Sequence, residues 1–135
     1  MLRRAPSLLL RAGAIASAGV LLSWPASARN HSLAMLDTLQ KGSWVLHEKD
    51  AGAERICLRS GRELIQLRHK QSGCGLFVVE DGADEIDVQY TCPGAGYGRT
   101  SIRRETGTLV QVQSHGIVGS APFAVVGEAR REGAC

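Results

Sequence analysis

Four cysteines, Cys57, Cys74, Cys92 and Cys135, constrain this 135-residue chain more than any other feature. Their number is even, and no two are spaced as C-x-x-C, which removes the usual thiol-exchange motif and the usual half of a zinc knuckle. Two structural bridges are the expectation. The competing reading groups His69, Cys74 and Cys92 around a zinc ion, and the compartment decides between them.

The first 28 residues indicate the compartment. Arg3 and Arg4 form a positive start, Ala12 to Leu22 is an uncharged run, Pro25 breaks it, and Ala26-Ser27-Ala28 has the A-x-A form of a signal-peptidase site. Only 13 residues separate Arg11 from Pro25, too few to cross a bilayer, so no transmembrane anchor is expected after cleavage. The chain therefore reads as a signal peptide, 1–28, followed by one periplasmic domain, 29–135, in conditions that favour disulfides.

Removing the leader also changes the charge. The whole chain is formally +3, but residues 1–28 hold Arg3, Arg4 and Arg11 and no acid, leaving 13 basic and 13 acidic side chains. A neutral domain with few, scattered aromatics lacks the clustered cations and stacking surface of a nucleic-acid binder. A charged fraction of 21% and a mean hydropathy of −0.06 exclude a disordered polyelectrolyte and a multi-span membrane protein.

Pairing of the cysteines follows from one hairpin. Cys74–Glu80 and Ile86–Cys92 are two alternating runs around Asp81-Gly82-Ala83-Asp84-Glu85. Folded symmetrically about Ala83, Val78 opposes Val88, Leu76 opposes Tyr90 and Cys74 opposes Cys92, while Asp87, Gln89 and Thr91 fall on the outer face. A one-residue slip would bury those polar residues. Opposed strand residues lie within disulfide reach, so Cys74 pairs with Cys92 and Cys57 with Cys135. The alternative, Cys57 with Cys74 and Cys92 with Cys135, joins neighbours as they emerge. The nested pattern instead calls on a periplasmic thiol oxidase and an isomerase.

Elsewhere the patterning is mainly strand. Ser32–Gln40 reads as a short helix with Leu33, Leu36 and Leu39 on one side, and Ser60-Gly61-Arg62-Glu63 as a capping box opening a helix over Gly61–Lys70. Ser43–Glu48 and Glu54–Arg59 form a hairpin, and Arg99–Glu105, Thr108–Ser114 and Phe123–Arg131 follow as strands, with His115 to Pro122 as a long turn. The fold class is thus mainly β (α+β): an antiparallel meander curled into a barrel or half-barrel, with one or two short helices and two disulfides. A bridge from the second strand to the C-terminus is expected to bring the ends of the sheet together.

Several segments, among them Lys41-Gly42-Ser43-Trp44, Tyr90-Thr91-Cys92-Pro93-Gly94, Gly96-Tyr97-Gly98-Arg99-Thr100 and Glu128-Ala129-Arg130-Arg131-Glu132-Gly133-Ala134-Cys135, carry a resemblance. The chain resembles the exported proteobacterial family called domain of unknown function 3617 over nearly the whole mature part. That resemblance implies a periplasmic location and paired cysteines, and it implies no activity, cofactor or catalytic residue.

The most suggestive local site is the glycine-rich segment after Cys92. Gly94, Gly96 and Gly98 offer backbone N–H groups for an anion, Arg99 and Arg103 offer charge, and Tyr97 offers a stacking lid over a carboxylate, phosphate or sugar. A strand rather than a helix follows, so this is neither a dinucleotide fingerprint nor a phosphate loop. The plainer alternative is a tight turn whose glycines take positive φ. Catalytic patterns are thin. Ser114 and His115 are adjacent strand residues and point to opposite faces, and Glu105 with Glu128 would serve a glycosidase only if close in space. The expected function is a non-catalytic envelope-associated binding module for a small ligand or envelope protein, without cofactor; the alternative is a small envelope hydrolase or metal-dependent enzyme.

Overall fold

The computed structural model describes residues 31–135, so the leader expectation for residues 1–28 falls outside the described residues. Seven antiparallel strands follow a four-residue helix α1, Ala34–Asp37: β1 Gly42–Glu48, β2 Gly52–Leu58, β3 Gly75–Asp81, β4 Glu85–Cys92, β5 Gly96–Thr106, β6 Leu109–Val118 and β7 Ala121–Gly133. They form one sheet in the order β2-β1-β7-β6-β5-β4-β3. β3 to β7 run as a meander, and the β1–β2 hairpin is added beside β7, with Leu46 opposite Ala129. The connection 59–74 therefore has to pass from one edge of the sheet to the other.

That crossing creates the core. Strand alternation turns Leu46, Ile86, Val88, Tyr90, Ile102, Val110, Val112 and Val125 to one face, each at most 1% exposed. Over this face lie α1 and the crossing segment, which contribute Leu33, Met35, Leu36, Leu39, Leu64, Ile65 and Leu67 to the same cluster. Trp44, fully buried, donates its indole N–H to the Gln40 carbonyl at 2.9 Å. The Arg68 guanidinium pins the crossing segment to the first hairpin by bonding Glu48 and, at 3.1 Å, Glu54. Among the described residues no element packs over the opposite, outer face, as an antiparallel sheet permits.

Both disulfides form as the hairpin predicts, Cys57 with Cys135 and Cys74 with Cys92. Gly75, Leu76, Phe77 and Val78 oppose Thr91, Tyr90, Gln89 and Val88, the register read from symmetry about Ala83. Past Val78 that register changes. A bulge at Val79 shifts the pairing, so that Asp81 rather than Glu80 opposes Ile86. The extra residue shortens the turn to Gly82-Ala83-Asp84, closed by the Gly82 N–H on the Glu85 carbonyl at 2.9 Å.

Three expectations are corrected. The sheet is open, not closed into a barrel, because β7 pairs with β1 in the interior of the sheet and the Cys57–Cys135 bridge reaches over one strand rather than joining the two edges. The helix over Gly61–Lys70 shrinks to a 3-10 turn, Arg62–Leu64. One arm of the capping box forms, the Glu63 carboxylate accepting from the Ser60 N–H at 3.2 Å, but the N-cap is Gly61 and the Ser60 hydroxyl accepts from the Arg62 N–H rather than that of Glu63. Helix growth stops where the Ile65 carbonyl accepts the Thr100 hydroxyl at 2.7 Å, a long-range partner replacing the next turn. Likewise, Gly96–Gly98 and His115–Val118 are strand rather than loop, because pairing between β5 and β6 supplies their hydrogen bonds.

Candidate functional site

Two polar clusters lie on opposite faces of the sheet. The inner one is closed. His69, 4% exposed, sets Nε2 at 3.2 Å from the Ala95 carbonyl and Nδ1 at 3.0 Å from the Tyr90 hydroxyl. A carbonyl only accepts, so Nε2 carries the proton and, in the neutral ring, Nδ1 accepts from Tyr90. Beside them Thr100 donates to Ile65 and its oxygen lies 2.7 Å from the Ser114 hydroxyl, for which Ser114 is therefore the donor. Burial pushes the Tyr90 phenol above its ordinary value of 10.0, against smaller pulls from Ser114 and Arg68, so it stays a neutral donor. Each group has a partner from another, and the network ties the crossing segment to β4, β5 and β6.

The outer cluster is open. Gln89 on β4, Arg99 on β5 and His115 on β6 stand side by side in the ladder, with Tyr97 one pleat away. They line a hollow of about 160 Å³ together with Gly98. Arg99 clasps Asp87 with two arms, Nε to Oδ1 at 2.8 Å and Nη2 to Oδ2 at 2.8 Å. Tyr97 is 50% exposed, an aromatic ring held against solvent by strands on both sides.

The residues singled out in the sequence divide between these surroundings. Tyr97 and Arg99 meet on the outer face. Arg103 lies on the same face in a different hollow with Glu85, Ser101, Gln111 and Gln113, and pairs with Glu105 at 2.6 Å. Gly94 occupies the turn Pro93–Ala95 at φ 77°. Gly96 and Gly98 belong to β5, whose amides serve strands on both sides, so the structure does not gather the three glycines around one point. Gly98 instead makes room for the Tyr90 ring: an added Cβ would stand 2.5 Å from its hydroxyl oxygen.

Ser114 and His115 do point to opposite faces, Ser114 buried and His115 exposed. Glu105 is engaged by Arg103, and Glu128 by Gln111 and Arg130, each at 3.1 Å. Among the described residues no three His, Cys, Asp or Glu side chains converge as a metal-ligand set. Gln89, Asp87 and His115 are neighbours of Tyr97 that no sequence motif singles out. The hairpin register already set Asp87 and Gln89 on the outer face, and extending β6 through the short run Gly116-Ile117-Val118 would have brought His115 opposite Arg99.

Asp87 gives the outer cluster a pH signature. Its hydrogen bonds to Arg99 hold its carboxyl below the ordinary 3.8 against an opposing push from burial, with Ser101 assisting. A depressed folded-state value contributes stability that is complete above the unfolded value and lost as pH falls through the folded one. The Asp87 contribution to stability, read from the melting temperature, should therefore hold from pH 7 to about 4 and decline below it. Asp87→Asn should flatten that decline by a few degrees at most, because the pair faces water. An unchanged acid slope in this variant would remove Asp87 from the account.

Comparison of the chain with protein-family models, with curated proteins and with solved structures gives no match.

Proposed function

We propose that this chain is an exported, non-catalytic module of the periplasm that binds an envelope component through the outer-face hollow at Tyr97, Arg99, Gln89 and His115. One observation carries the reading: the interior His69, Tyr90, Thr100 and Ser114 are closed off by hydrogen bonds, whereas the outer group presents an aromatic ring, an amide and an imidazole to solvent beside the Asp87-bound guanidinium of Arg99. A half-exposed ring flanked by planar polar groups is suited to stacking on a sugar or peptide and hydrogen-bonding its rim. Export is supported by the two disulfides and by the leader-like residues 1–28; among the described residues no helix is long and apolar enough to cross a membrane. The resemblance to the exported family of domain of unknown function 3617 agrees with that location. In this setting a thiol oxidase and an isomerase are its folding partners.

The test is photo-cross-linking in living cells. A photoreactive residue at Gln89 or Tyr97 should capture a discrete envelope partner or glycan, and Arg99→Ala should weaken that capture. The same probe at Ala53, exposed on β2, should capture nothing specific. Equal labelling at Ala53, or none at positions 89 and 97, would discard the hollow as the binding site. Turnover of an envelope substrate that vanishes in His115→Ala would instead favour the alternative, a small envelope hydrolase.

A further inference from the structure

The two edges of the sheet are not alike. β2 carries charged side chains, which discourage edge pairing: Glu54 is bound by Arg68 at 3.1 Å and Lys70 at 3.4 Å, Arg55 by Ser43 at 2.8 Å and Glu132 at 3.3 Å, and Cys57 is tied to the C-terminal residue. β3, at the other edge, has β4 on one side and, among the described residues, no strand on the other. Its sequence GLFVVED contains no Lys, Arg or Pro to discourage pairing. It also exposes Leu76 by 48%, Phe77 by 68% and Val79 by 46%, three of the six most exposed large apolar side chains in the described part.

We infer that β3 is a self-association edge, and that its occupant is β3 of a second copy of this chain, paired antiparallel across a two-fold axis at Phe77. In that register Phe77 meets Phe77 of the second copy and Leu76 meets Val78, using the regular stretch Gly75–Val78 ahead of the bulge. Glu80 and Asp81 of the two copies fall at opposite ends of the contact, so no acids oppose each other. Residues 29–135 carry equal numbers of acidic and basic side chains, and no net charge keeps two copies apart. The pairing is isologous, β3 on β3, so it uses the same edge of both chains and closes at the dimer, without growth into a fibre. A single short strand pair is a small interface, so the dimer is a weak one.

Sedimentation of the disulfide-bonded protein from about 1 μM to about 1 mM tests this, since that range brackets a weak dimer. The mass should rise from one chain toward two with concentration. Phe77→Lys and Val79→Lys, both at exposed positions outside the core, should stay monomeric over the whole range, and Val126→Lys, 51% exposed in the middle of the outer face, should dimerise as the parent does. A parent monomer at every concentration, or a dimer indifferent to Phe77→Lys, overturns the inference. Neither result bears on the Tyr97 hollow, whose cross-linking is read separately.

Discussion

Reduction of both disulfides is expected to unfold this protein at 37 °C. The bridges close separations of 18 and 78 residues, and loop-closure entropy assigns them about 3 and about 4.5 kcal/mol before any strain is subtracted. A domain of this size holds roughly 5 to 15 kcal/mol in total, so losing both removes half or more of its stability. The structure adds a reason for the larger effect at Cys57–Cys135. The β1–β2 hairpin joins the rest of the sheet only along β1 and β7, and this bridge is the covalent link holding the chain's last residues to it. Thermal unfolding with and without dithiothreitol is the measurement. Replacing either pair by serine should lower the melting temperature by more than about 10 °C, with the Cys57–Cys135 pair the costlier. A reduced protein that melts within a few degrees of the oxidised one would show that packing alone sustains the fold.

The second large effect is expected at Gly98, where sequence offers a ligand contact and the structure offers a packing constraint. A Cβ there would lie 2.5 Å from the Tyr90 hydroxyl oxygen and 2.6 and 2.8 Å from two atoms of its ring; Tyr90 is 1% exposed and anchored to His69. The ring cannot withdraw without breaking that bond and crowding the core. Overpacking and an unsatisfied buried donor each cost about 1 to 3 kcal/mol, so Gly98→Ala should destabilise by about 3 kcal/mol or more in urea unfolding. Gly94→Ala is the useful contrast. Nothing lies near its missing Cβ, and the penalty is only that of an alanine at φ 77°, about 1 kcal/mol. If Gly98 acts through Tyr90, combining Gly98→Ala with Tyr90→Leu should cost clearly less than the sum of the two changes. Strictly additive costs would sever that link.

The same pair of residues shows why part of the site was legible in the sequence and part was not. Tyr97 and Arg99 could be singled out because an aromatic and a guanidinium beside glycines are informative in themselves. Their true neighbours, Asp87, Gln89 and His115, come from the flanking strands, and the arrangement of β4, β5 and β6 brings them alongside. Gly98 looked like Gly94 in the sequence, yet only Gly98 has an aromatic ring seated on it.

By itself the sequence determined what depends on alternation and short loops: seven strands, the register of β3 against β4 as far as Val78, the pairing of Cys74 with Cys92 and hence of Cys57 with Cys135, and the opposed directions of Ser114 and His115. Each follows from the two-residue period of a strand and the reach of a hairpin, which are local. Tertiary structure alone decided that β7 inserts beside β1 and leaves the sheet open, that the helix after Ser60 ends within one turn, and that Gly96 to Gly98 is strand. Those outcomes turn on hydrogen-bond partners far along the chain, Thr100 for the Ile65 carbonyl and Ala129 beside Leu46, whose pull outweighs the modest intrinsic preferences of the segments they capture.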